Sequence, residues 1–184
     1  MKIERKNFNK GIKLHLLCDK ADWIRPFKKH IYFKDGYAYA SEGHIIIKAY
    51  LPEISSFNED EIKIMDGKFL HADNYKLLIG YDTVRVTDAG FEVEKNDCHI
   101  LIRFEDNIVP MPYKEDWEKL PSESKCNIPI DSSLLDRLSK AMNAPRIIIY
   151  FRSSYLGPCK VKFMKGACEY EKTIGLIMPL YIGE

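Results

Sequence analysis

Short runs of alternating apolar and polar residues recur along this chain, separated by stretches with helical spacing. IKLHLL (Ile12 to Leu17), KHIYF, YAYAS and HIIIKAYL have period two and are rich in Ile, Tyr and Phe, which predicts strands. Between the first and second of them, CDKADWIRPF offers Asp19 or Asp22 as the cap of a short helical turn that Pro26 closes. Lys-Asp-Gly separates KHIYF from YAYAS, and a second glycine, Gly43, stands between Glu42 and His44 at the next corner.

The pattern then returns. After an acidic, serine-containing link (PEISSFNEDE), FLHADNYKLLIGY predicts a helix around Asn74 to Ile79. TVRVTD, GFEVEK and CHILIRFE follow as strands, with turns at Asp88-Ala89-Gly90 and Asn96-Asp97. VPMPYKEDWEKLPSES, with three prolines and clustered acids, is expected to be an ordered linker. Beyond it CNIPI predicts a strand, and Asp131-Ser132-Ser133 leads into SLLDRLSKAM. There Leu134, Leu135, Leu138 and Met142 share one helical face, while Asp136, Arg137 and Lys140 look away from it. RIIIYF, CKVKFM and IGLIMPLYI supply three further strands. A strand-helix-strand-strand-strand unit thus repeats at a period of about 50 residues.

Composition narrows the function classes. The 184 residues, 46% of them hydrophobic, suffice for one ordinary core or two small ones. No run approaches the roughly 18 apolar residues of a membrane helix, and no apolar stretch follows the charged start as in a signal peptide, so a cytoplasmic protein is expected. Five scattered cysteines without CxxC spacing suggest reduced, structural thiols. Cys98, His99, Cys159 and Cys168 are the nearest the chain offers to metal ligands, at spacings that call for none. The net charge is +1, but residues 1–124 carry 19 Lys and Arg against 22 Asp and Glu, and residues 125–184 carry 9 against 5. Asymmetry of this size is common, and solvated faces are its plain reading ahead of an anionic partner. No glycine-rich phosphate loop, HExxH or GxSxG is present, so the reading favours a binding protein over an enzyme and calls for no cofactor. Trp23 and Trp117 are expected as core or linker anchors.

Several of these pieces together resemble the bacterial beta-type DNA sliding clamps. The corner Ala40-Ser41-Glu42-Gly43-His44-Ile45-Ile46 is similar to the family's Ala-Thr-Asp-Gly-His-Arg-Leu, with Ile45 in place of the arginine. Met111-Pro112-Tyr113 and Leu120-Pro121 resemble the family's linker, Ile177-Met178-Pro179-Leu180 resembles its terminal Ile-Met-Pro-Met, and Arg25-Pro26 its Arg-Pro after the first helix. The resemblance implies an α+β fold of repeated βαβββ units, with antiparallel sheets outside and helices on one face. It divides the chain into a two-unit domain (1–110), a linker (111–124) and a third unit (125–184), like a clamp's middle domain joined to the closing half of its last.

What the resemblance implies for function is a non-enzymatic replication or repair accessory protein. Ser41, Gly43, His44, Ile45, Ile46, Pro121, Leu176, Met178, Pro179 and Leu180 would form an apolar cleft for a short hydrophobic peptide of a DNA polymerase or repair protein. Ile45 would make its wall more apolar than the family's. Arg25, Lys76, Arg137 and Lys140 are the residues expected to meet duplex DNA, an ordinary solvated helix face being the plain alternative. A homodimer that pairs the third units across a two-fold axis would restore six units; a monomeric interaction module that does not touch DNA is the competing reading.

Overall fold

The computed structural model describes residues 6–19, 21–22, 24–95, 98–106, 108–109, 130–150, 157–165 and 168–179. The expected linker, the CNIPI strand, the Asn96-Asp97 turn, Trp23 and Trp117 lie outside these residues, apart from Ile130 and the linker's Val109. No helix among the described residues is long and apolar enough to cross a membrane.

The first predicted strand is a correction. Leu14–Leu17 form a 3-10 helix, and strand-like bridges occur earlier, from Lys6 to Thr83 and Phe8 to Ser55. Leu14 and Leu17 are both fully buried while Leu16 is 36% exposed, so spacing by three, not alternation, governs this run. Pro26 likewise opens a second 3-10 helix, Pro26–Lys29, instead of closing one. A residue without an N–H is well suited to a first helical position, where that group would have no partner. The preceding turn is made by Asp22, whose Oδ1 accepts the backbone N–H groups of Ile24 and Arg25.

Strands β1 (His30–Lys34), β2 (Tyr37–Ser41) and β3 (Ile45–Tyr50) form the expected meander. Asp35 and Gly36 both take positive φ (51° and 78°), as a two-residue hairpin turn requires. The stretch expected as a plain link instead folds into α1 (Leu51–Ile54) and α2 (Glu59–Met65). Asn58 and Glu61 close a reciprocal capping box there, each side chain accepting the other's backbone N–H at 2.9 Å.

Next come β4 (Phe69–His71), α3 (Ala72–Leu78), β5 (Arg85–Thr87), β6 (Gly90–Lys95) and β7 (Cys98–Arg103), as the repeat predicts. Helix α4 (Ser132–Met142) begins where Asp131 Oδ1 accepts the Ser133 N–H at 2.8 Å. It buries Leu138, Ala141 and Met142, with Leu134 and Leu135 packed at the core's margin. Strands β8 (Arg146–Tyr150), β9 (Cys159–Lys165) and β10 (Cys168–Ile177) complete the described elements.

All strand pairs within the two sheets are antiparallel, in the orders β4-β1-β2-β3-β10-β9-β8 and β5-β6-β7. The seven-stranded sheet joins the first repeat unit to the third through β3 and β10. One of its faces, including Ile31, Phe33, Ile45, Ile47, Val161 and Phe163, is fully buried with α3 and the 3-10 helix at Leu14 in a single core. That helix packs against both α3 and α4. Phe8, Phe57, Tyr75 and Phe91 interlock there with ring centroids 5.0–6.0 Å apart.

Candidate functional site

The β2–β3 corner is held by its own polar groups. Ser41 Oγ donates to the Ile45 carbonyl at 2.9 Å and accepts the Gly43 N–H at 3.0 Å, folding the loop across its base. Gly43 takes φ +108°, and a Cβ on it would fall 2.6 Å from Lys28 Nζ. Lys28 is itself only 4% exposed and lies 3.2 Å from Asp22 Oδ2, which Arg25 Nε also reaches at 2.8 Å. Burial would raise the Asp22 carboxyl; the Arg25 N–H and the Lys28 and Arg25 side chains outweigh it and lower it to about 2.

Strand β10 arrives at this corner from the far end of the chain. Ile177 pairs with Ile45 and Leu176 with Ile46, and the Met178 N–H donates to the His44 carbonyl at 2.8 Å. Leu176, only 4% exposed, packs with Tyr39, Ile46 and Ile174 in a small apolar cluster separate from the main core. Met178 beside it is 42% exposed. Serine 41, Gly43, His44, Ile46, Leu176, Met178 and Pro179 are therefore gathered at one seam. Ile45 is not part of its wall: its side chain is fully buried in the main core, because neighbours on a strand face opposite ways. Pro121 and Leu180 lie outside the described residues.

Glu42, at the same corner, is tied to α4. Its Oε2 accepts Arg137 Nη1 at 2.9 Å, while Arg137 Nη2 donates to the Leu16 carbonyl at 3.0 Å. His44 Nδ1 lies 3.6 Å from the other oxygen of Glu42. One guanidinium thus joins α4, the Leu14–Leu17 helix and the corner, a role no local sequence signal announces. The other expected cations differ in their partners. Lys140 pairs with Asp136 at 2.6 Å, one turn away, and Arg25 with Asp22 beside the corner. Lys76 is exposed on α3, where no carboxylate among the described residues forms an ion pair with it.

Sequence reasoning also passed over a buried histidine. His30, 5% exposed on β1, has Nδ1 2.6 Å from the Pro26 carbonyl and Nε2 2.8 Å from Glu105 Oε2, so it ties the sheet to the end of the second repeat. The candidate metal-ligating cysteines are spread over separate strands. Cys98 and His99 are exposed on β7, Cys159 is buried in β9, and the Cys168 side chain lies outside the described residues. Among the described residues no group of three or more His, Cys, Asp or Glu could hold a metal ion.

No protein-family model matches the sequence, and no curated protein does. Solved structures do match. The DNA polymerase sliding clamp of Pseudomonas aeruginosa, crystallised with a ligand, superposes with a TM-score of 0.58 at 10% identity, over 95% of this chain and 65% of that one. The DNA polymerase III beta subunit of Thermotoga maritima superposes with a TM-score of 0.51 at 10% identity, over 97% of this chain and 65% of that one. The chain has the fold of the bacterial sliding clamps and spans about 65% of the length of these two.

Proposed function

We propose that this chain is a non-enzymatic, sliding-clamp-like accessory protein of DNA replication or repair, which grips a short hydrophobic peptide of a polymerase or repair partner at the β3–β10 seam. The observation that carries this reading is the junction itself. The Gly-His corner and the Met-Pro end of β10 are bonded through His44 and Met178, with the Ile46–Leu176 cluster beside them. Methionine and branched apolar side chains form an adaptable surface, and a few peptide side chains seated on it dominate such an affinity.

The test is anisotropy of a fluorescent peptide carrying a polymerase-derived hydrophobic clamp-binding motif. Ile46→Ala with Met178→Ala is expected to weaken binding by ten-fold or more while the circular dichroism spectrum stays unchanged; retained affinity refutes the assigned cleft.

Contact with duplex DNA belongs to the same proposal, with Lys76 as its best-placed cation. A homodimer that encircles DNA should be retained longer on closed circular than on linear duplex in size-exclusion light scattering. One observation favours the second reading, a monomeric module that presents or competes for clamp-binding peptides. Arg25, Arg137 and Lys140 all have carboxylate partners within the chain, which leaves Lys76 alone of the four residues expected at the duplex without one among the described residues. A monomer indifferent to both DNA forms supports that second reading.

A further inference from the structure

The solvent face of the seven-stranded sheet combines two residue types in an ordered way. Strand register puts Phe69, Tyr32, Tyr39, Lys48, Ile174, Lys162 and Ile148 in one row across all seven strands. The next row runs Ser41, Ile46, Leu176, Lys160, Tyr150. Because side chains alternate along each strand, these residues share the face opposite the core, and the tyrosines on it are half-buried with their surfaces in part open.

The rings touch in series. Phe69 stacks on Tyr32 at 4.4 Å, Tyr32 lies 6.2 Å from Tyr39, Tyr39 6.4 Å from Tyr37, and Tyr37 5.2 Å from Tyr50. Lysines accompany them. Lys48 Nζ sits 4.4 Å over the Tyr37 ring, Lys172 4.4 Å over Tyr50, and Lys160 5.7 Å over Tyr150. None of these three ammonium groups forms an ion pair with a carboxylate among the described residues. The acids nearby are otherwise engaged: Asp66 and Asp35 with Lys34 at the hairpin end, and Glu53 with the Lys172 N–H and Thr173 Oγ1. Lys162 donates to the Glu171 carbonyl.

We propose that this face binds single-stranded nucleic acid, with phosphates drawn to Lys48, Lys160 and Lys172 and bases stacked on the tyrosine series. Two features favour that ligand over an acidic peptide. The cations are interleaved with aromatic planes, which carboxylates have no use for but every base does. The tyrosine centroids also follow one another at 5.2–6.4 Å along a path that extended nucleotides can track. The ammonium groups now resting on the rings are the ones a phosphate would draw off, opening the ring faces to bases. This face adjoins the seam, which shares Tyr39, Ile46 and Leu176 with it, but Lys48, Lys160, Lys172, Tyr37 and Tyr50, on which the proposal and its variants rest, are not seam residues.

The experiment is anisotropy of fluorescein-labelled oligothymidylate with the full chain across a salt series. Binding that weakens with salt is expected. Lys48→Gln with Lys172→Gln should make the log–log salt slope shallower by about 1.4, roughly 0.7 per phosphate contact. Tyr37→Leu with Tyr50→Leu, which keeps apolar bulk and removes the stacking planes, should weaken binding at least about five-fold. Lys10→Ala with Lys63→Ala, exposed lysines that pair with Asp82 and Asp60 away from the strands of this sheet, should leave it unchanged. Thermal melts establish that each variant is folded. The proposal is overturned by no binding, by equal competition from polyglutamate or duplex DNA, by unchanged affinity in the tyrosine variant, or by loss in the Lys10 and Lys63 variant.

Discussion

The β3–β10 seam and the polar face of α4 hold most of the residues that the sequence marked for function, and they fared differently. At the seam, apolar side chains from opposite ends of the chain meet because strand register leaves them no choice: once Ile177 pairs with Ile45, Leu176 and Ile46 are neighbours on the outer face. On α4, helical spacing correctly turned Arg137 and Lys140 away from the core, yet both have partners within the chain. Periodicity predicts which way a side chain points. Whether a charge so placed remains free depends on elements that periodicity does not see.

The sharpest way to break this contrast is to compare two adjacent isoleucines of the seam. Ile45→Ala, which empties a fully buried position, should cost about 2–5 kcal/mol in denaturant unfolding, whereas Ile46→Ala should cost under about 1 kcal/mol and act on peptide affinity. Equal losses would mean that the seam has no outer wall.

Arg137→Ala should destabilise the fold by roughly 1–3 kcal/mol, since it leaves the half-buried Glu42 carboxylate and the Leu16 carbonyl without their donor. A change within about 0.5 kcal/mol, as ordinary surface positions give, would return Arg137 to the class of free cations. At the corner, Gly43→Ala should cost on the order of 1–3 kcal/mol from its positive φ and the crowding of Lys28.

Acid titration probes both regions at once. Asp22 at the corner is lowered to about 2, and Asp131 at the start of α4 is lowered by its bonds to Ser133. A carboxyl with a folded pKa below its unfolded one adds stability that is complete above the unfolded value of about 4 and disappears as pH falls through the folded one. Stability should therefore decline from about pH 4 toward pH 2, less steeply in Asp22→Asn and in Asp131→Asn, as followed by thermal melts. The smallest effect belongs to Lys140→Ala, whose exposed pair with Asp136 should be worth at most about 0.5 kcal/mol.

Much of the strand layout was legible because half-buried antiparallel strands have a period of two, and the helical spacing of Leu138 and Met142 marked the buried face of α4. Leu14–Leu17 was misread because Ile12, Leu14 and Leu16 alternate as well as Leu14 and Leu17 recur by three, and tertiary burial decides between them. The Asn58…Glu61 capping box was present in the text of the chain but hidden in a run that looks like an acidic linker. At the seam, Ile45, Ile46 and Ile47 are chemically identical, so only pairing with β10 reveals which of them faces outward. The Arg137 bridge was out of reach for a similar reason: Leu16 and Glu42 come to it from two other elements, and no spacing encodes that meeting.

The β3–β10 pairing also sets the order in which the molecule can be finished. Strand β3 is made early and its partner late, so during synthesis its main-chain N–H and C=O groups wait on an open sheet border. Such a border templates pairing with any extended chain nearby. Closing a loop this long is also slow relative to the local hairpins that form first. Assembly of the protein is therefore most exposed to misassociation in the interval before β10 docks, and a chaperone that shields the border of β3 would act at that step.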